Sequence, residues 1–197
     1  MWRHRHLVLG AIGIFVAVGA EVAIGSFLVN YFIQPDIGGL TPKAAATYVS
    51  LYWFGSMAGR FIGSAVMNKI PAPRVIGVFA LIVVALLTMS ILSYGKPAMW
   101  TVLFVGCFNS IMFPGIFTLG IANLGSLTSK GSGILMSAAV GGAIVPVAQG
   151  ALADNIGVHH AFILSAFCYL YVAFYGFHGW KPTGTAAETV NNTVNSS

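Results

Sequence analysis

Residues 75–94 read VIGVFALIVVALLTMSILSY, twenty consecutive positions without a charge. As a helix rising 1.5 Å per residue, such a run measures about 30 Å, the thickness of a bilayer's hydrocarbon core. Working outward, five more runs of the same character appear, at about 7–33, 47–67, 98–122, 133–153 and 161–178. Lipid offers no hydrogen bonds to an exposed backbone, so spans of this composition must be helices, which satisfy every N–H and C=O within one segment. The expected fold is all-α integral membrane, a bundle of six transmembrane helices over 1–180.

The rest of the chain agrees with this reading. The breaks between runs are QPDIGGLTPK, NKIPAPR, YGKP, NLGSLTSKGS and DNIGVHH, in which Pro, Gly, Asn and Asp supply the turns. Only 7% of the residues are charged, against roughly 25% in soluble domains, too few to build a surface that faces water. The first run follows MWRHRH but is far longer than a signal peptide's apolar core, so it reads as a retained span. Residues 181–197 are polar and small, without apolar periodicity, and are expected to form a disordered cytoplasmic tail.

Nine Lys and Arg stand against four Asp and Glu, but the basic residues are scattered singly, which excludes a nucleic-acid surface. Their distribution sets orientation instead. Arg3, Arg5, Arg60, Lys69, Arg74, Lys130 and Lys181 fall on the side of both termini, and only Lys43 and Lys96 fall opposite, which predicts cytoplasmic termini. Cys107 and Cys168 lie inside apolar runs without disulfide or metal spacing and read as packing residues. His159 and His160 fall in the turn DNIGVHH, expected to be aqueous and outside, with no second ligand cluster beside them. No metal, cofactor or enzymatic motif is expected: there is no P-loop, HExxH, GxSxG or pair of carboxylates at catalytic spacing.

Glu21 is the one acidic residue deep in a span, where a central charge costs roughly 2.5–3.5 kcal/mol on insertion scales. Two readings are open: a proton-titrating or substrate-bonding group, and a protonated carboxyl bonded to a neighbouring helix. Gly10, Ile14, Ala17, Gly25, Leu28 and Phe32 share its face, so its surroundings are small or apolar, whereas Asn30 lies opposite. In the fourth run, FNSIMFPGIF places Pro114 near mid-membrane, where it frees backbone carbonyls, and puts Asn109 and Phe113 at the depth of Glu21. An amide beside an aromatic face suits a sugar, whose hydroxyls bond amides and carboxylates while its C–H face packs on rings. The alternative is an Asn109 that merely bonds a neighbouring helix.

Gly55, Gly59 and Gly63 form a small-residue ladder on the second run, expected to bring another helix close. Trp53, Ser56, Arg60 and Ser64 lie on the adjacent stripe, with Arg60 near enough to the cytoplasmic end to snorkel or pair at an inner gate; the structural reading of Arg60 is preferred. Gly141, Gly142 and Pro146, followed by Gln149 and Gly150, predict a kinked, flexible fifth helix, with Gln149 too near the outer end for a site.

At GAEVAIGSFLVNYF (19–32), GRFIGSAVMNKIPAPRV (59–75), FNSIMFPGIFTLGIANLG (108–125) and GGAIVPVAQGALADNIG (141–157), the chain resembles bacterial sugar transporters of the major facilitator superfamily, in the fucose and glucose/galactose symporter group. The resemblance covers 1 to about 180 and implies the carboxyl-terminal half, spans seven to twelve, of a twelve-span protein that binds sugar between two rocking bundles. It implies substrate contact at Glu21, which matches the polar position of the seventh span, and at Asn109, Met112 and Phe113, which match the tenth. Where the fucose transporters tend to carry an amide and a tyrosine before the proline, this chain has Met112 and Phe113; its carboxylate at position 21 is more like the glucose/galactose subgroup.

The expected function is secondary active transport of a hexose across the bacterial inner membrane, coupled to protons or sodium. The expected partner is an amino-terminal half, since the fucose symporters' main proton-coupling acids belong to that half. The alternatives are a homodimer joined through the Gly55, Gly59 and Gly63 face, acting as transporter or sugar sensor, and a truncated inactive fragment.

Overall fold

The computed structural model describes residues 5–181 as eight α-helices and short irregular turns that build six spans. Three spans are single helices: α1 (Arg5–Phe32), α2 (Pro42–Met67) and α3 (Ala72–Leu92). The fourth is α4 (Gly95–Asn109) followed by α5 (Met112–Ile121). The fifth is α6 (Thr128–Ser137), a 3-10 turn at Ala138–Val140 and α7 (Gly141–Ile156); the sixth is α8 (Val158–Phe174), continued by a π turn at Tyr175–Gly179. The expected tail lies outside the described residues apart from Lys181.

Five of the spans are long and apolar enough to cross a membrane. The sixth, α2, has the length but is less apolar, because Thr47, Ser50, Ser56, Arg60 and Ser64 interrupt it. It begins earlier than its apolar run. Thr41 adopts an extended N-cap conformation, its hydroxyl accepting from Ala44 N–H at 3.4 Å, and Pro42 occupies the first helical position, where a missing N–H costs nothing.

The two spans with a proline far from their ends, the fourth and the fifth, depart from α geometry where those prolines do not stand. The fourth run is interrupted at Ser110–Ile111, and Pro114 lies in the first turn of the new helix α5. A proline there lacks only an N–H that a first turn leaves unbonded anyway. The fifth run departs from α geometry at Ala138–Val140, and Pro146 sits inside α7.

Helix α1 lies against α5, α7 and α8, while α3 packs between α4 and α8 and α2 packs chiefly on α4. In lipid, side chains gain nothing by leaving water, so dispersion through close backbone approach must hold the spans together. Gly141 is such a point: a Cβ there would collide with the carbonyl of Phe15 on α1. Gly59 is another, with the backbone of Cys107 on α4 occupying the place of its Cβ. Gly63 faces Ile111 and Gly55 faces the Cys107 sulfur, so the whole ladder is spent on packing α2 against α4 and α5 within the chain. It is therefore not a face on which a second copy can dock, which corrects the homodimer expectation.

Candidate substrate site on the α2 face

Polar side chains converge at mid-depth from four helices. Asn109, at the end of α4, is buried and donates from Nδ2 to the hydroxyl of Tyr52 on α2 at 2.8 Å. Gly106, one turn earlier, lets the backbone and ring of Tyr52 come close enough for that bond; a Cβ would meet Tyr52 O at 2.7 Å. Tyr169 of α8 is fully buried beside the same amide. Among the described residues Ser110 Oγ has no hydrogen-bond partner, and the Tyr169 hydroxyl lies near the Asn109 amide without a hydrogen bond of ordinary length to it. An unpaired buried polar atom costs about 1–3 kcal/mol, so such an atom in a folded protein marks a place built for more than packing.

Glu21 is half-buried on α1 beside this cluster, close enough for its charge to act on both Tyr52 and Tyr169. It forms no hydrogen bond among the described residues, and its opposite charge is Arg60 of α2, within electrostatic range. The reading of Glu21 as a carboxyl bonded to a neighbouring helix is thus not what the fold builds. Arg60 lies within electrostatic range of Glu21 and lines a cavity on α2.

That cavity, about 670 Å³, is walled by Trp53, Ser56, Met57, Arg60, Phe61 and Ser64 and opens on the outer face of α2. Trp53 bridges to α1, where Gly25 makes room for its ring: a Cβ at Gly25 would stand 2.9 Å from Trp53 Cζ2. Gly25 is one turn along from Glu21, so the indole and guanidinium that line the cavity stand near the carboxylate, which does not itself line it. Hydroxyl-bearing rings are recognised by this combination, the charged groups bonding hydroxyls and the indole taking the apolar face.

The structure does not bring every expected residue to this patch. Met112 is buried in the core, and Phe113 turns its ring onto Phe117 at a centroid distance of 6.1 Å; neither lines the cavity. Both stand at the start of α5, after the turn at Ser110–Ile111, whose residues keep right-handed helical dihedrals. Gly141 and Gly142 both face α1, as packing residues, and Gln149 is fully buried, accepting from Ser165 Oγ of α8 at 2.7 Å. Tyr52, Trp53 and Tyr169 are the residues that the sequence reading did not place in the site. The spacing of Trp53, Ser56, Arg60 and Ser64 on one stripe was the signal for the cavity; nothing local marked Tyr52 or Tyr169.

His159 also departs from expectation. It is buried, its Nε2 lying 2.9 Å from the Ile91 carbonyl and its Nδ1 3.3 Å from the Tyr31 hydroxyl, and its ring stacks on Tyr94. Tyr31 also bonds Ser90 Oγ at 2.8 Å, so His159 knots α1, α3 and α8 together rather than standing in an aqueous turn.

The six-span arrangement matches solved structures closely. A crystal structure of the major facilitator superfamily transporter FucP in an outward conformation superposes with a TM-score of 0.84 at 30% identity, over 87% of this chain and 42% of that one. The chain has the fold of one half of a major facilitator superfamily transporter. It is 56% identical over 180 residues to a glucose/galactose transporter of Brucella abortus, and 32% identical over 168 residues to the L-fucose-proton symporter of Escherichia coli. It covers 44% and 38% of those proteins, so it spans less than half the length of these relatives. No protein-family model matches the sequence.

Proposed function

We propose that the chain is the carboxyl-terminal half of a proton-coupled hexose transporter of the bacterial inner membrane, working by alternating access against an amino-terminal half. One observation carries the reading. The bundle has a wide polar and aromatic cavity on its α2 face, flanked by the mid-membrane carboxylate of Glu21. That face also exposes Arg60 among Trp53, Phe54, Met57, Phe61 and Ile62; the apolar side chains suit lipid, but the guanidinium does not, which favours a second bundle over it.

In this reading Trp53 stacks on the sugar ring, while Arg60, Ser56 and Glu21 take its hydroxyls. The buried Asn109, Tyr52 and Tyr169 cluster behind Glu21 sets the position and charge of the carboxylate. The higher identity to the glucose/galactose transporter than to the fucose symporter supports glucose or galactose as the substrate.

The test is reconstitution into proteoliposomes, with and without an amino-terminal six-span half taken from the Brucella relative, under an inward proton gradient. Radiolabelled glucose or galactose should accumulate only when both halves are present. No uptake by the correctly inserted pair would overturn the proposal, and uptake by this chain alone would favour a homodimer built through some face other than the glycine ladder.

A further inference from the structure

Two cavities adjoin each other at the end of the bundle where Arg5 and Lys181 lie. One, about 340 Å³, has Arg5, Leu9, Phe174, His178 and Lys181 among its walls. The other, about 420 Å³, has Pro73, Arg74, Phe177, Trp180 and Lys181. Lys181 is common to both.

The π turn at Tyr175–Gly179 produces this arrangement. Its extra residue per turn is closed by the Trp180 N–H donating to Tyr175 O at 3.1 Å. Gly176 brings the turn onto α3, where a Cβ would meet Gly77 N at 2.5 Å, and Phe177 then lies over Gly77. Phe177 and Trp180 consequently point to the start of α3, while Phe174 and His178, stacked at 6.1 Å and 13°, face Arg5 of α1. Each cavity thereby has an aromatic wall and a cationic rim.

Among the described residues no carboxylate at this end neutralises the rim. Among the described residues the carboxylates are Glu21 at mid-depth and Asp36 and Asp154 at the opposite end, where the Gly95 N–H donates to the Asp36 carbonyl to join the two loops there. Arg5, Lys69, Arg74, Lys130 and Lys181 all lie at the end with the two cavities. Cations at the membrane surface beside rings at headgroup depth attract an anion attached to hydrocarbon.

We propose that these paired cavities hold a phospholipid with two phosphates, of the cardiolipin class. One phosphate lies between Arg5 and Lys181 and the other between Lys181 and Arg74, with the acyl chains running along Leu9, Phe174 and Phe177. A single-phosphate lipid fills one cavity and leaves the other's cation unpaired. Inorganic phosphate shares the anion chemistry but offers nothing to the aromatic walls.

Native mass spectrometry of the full chain, released from bilayers of phosphatidylcholine with equal parts of cardiolipin and phosphatidylglycerol, tests this. Cardiolipin should be retained in preference to both others. Arg5→Gln, Arg74→Gln and Lys181→Gln should each weaken retention about fivefold, the equivalent of roughly 1 kcal/mol per cation at a membrane surface. Lys96→Gln, at the other end, should leave it unchanged. Equal retention of cardiolipin and phosphatidylglycerol, indifference to the three substitutions, or displacement of the lipid by millimolar inorganic phosphate would each overturn the proposal.

Discussion

Helix α1 has two unlike flanks. Against α7 it is closed: at Gly19 a Cβ would collide with Val145 and the Gly141 carbonyl, and at Gly141 one would collide with the backbone of Phe15. Against α2 it is open, held apart by the Trp53 ring on Gly25, with Glu21 and Arg60 within electrostatic range of each other. The glycines of α2 are turned to α4 instead, so α2 is anchored on one side and leaves a cavity on its outer face. Within lipid, backbone proximity makes a seam and a bulky amphipathic ring unmakes it. The closed flank carries stability, and the open one is available for chemistry.

The contrast breaks most easily on its closed side. Gly141→Leu forces a side chain into the α1 backbone, where neither partner can yield, so it should cost about 3 kcal/mol or more. Thermal unfolding of the full chain in detergent should register this as aggregation or a large loss of melting temperature. Gly133→Leu, whose added Cβ meets nothing within 4 Å, is the matched control and should behave like the parent. Equal melting of both variants would mean that the α1–α7 seam is not the structural one.

On the open side the effects should appear in transport and not in folding. Glu21→Gln keeps shape and loses charge. With the matching half present, it should insert normally, reduce sugar uptake about tenfold or more, as expected for a lost hydrogen bond to a charged group, and flatten the pH dependence. An unchanged uptake and pH profile would remove Glu21 from the site. The smallest effect is expected from Trp53→Ala. Its ring is 46% exposed, so stability should hold while the sugar KM rises about fivefold, the value of one aromatic stacking contact. A rise in KM without a fall in melting temperature separates a binding ring from a structural prop.

Much of this was legible in the sequence. Six apolar runs set the six spans to within a few residues at most ends, because hydropathy over a span's length is a local sum. The start of α2 at Pro42 was missed because Thr41 and Pro42 cap a helix whose first turn is not apolar. The depth of Glu21 and the stripe containing Trp53, Ser56, Arg60 and Ser64 also followed from helical periodicity. For Met112 and Phe113 the sequence showed the face but not its neighbours: Met112 is buried in the core and the Phe113 ring lies against Phe117, contacts that periodicity along one helix does not reveal.

By itself, the sequence determined that this is a membrane protein, how many times it crosses, and which of its residues are too polar to be there without purpose. Those properties are sums over neighbours along the chain. Which helix Gly59 touches, that Arg60 lies within electrostatic range of Glu21, that Tyr52 and Tyr169 close around Asn109, and that His159 is buried were decided only by the tertiary structure. Each of these depends on the rotation of one helix against another that is distant along the chain, and a periodicity of 3.6 shows which residues share a face without showing what that face meets.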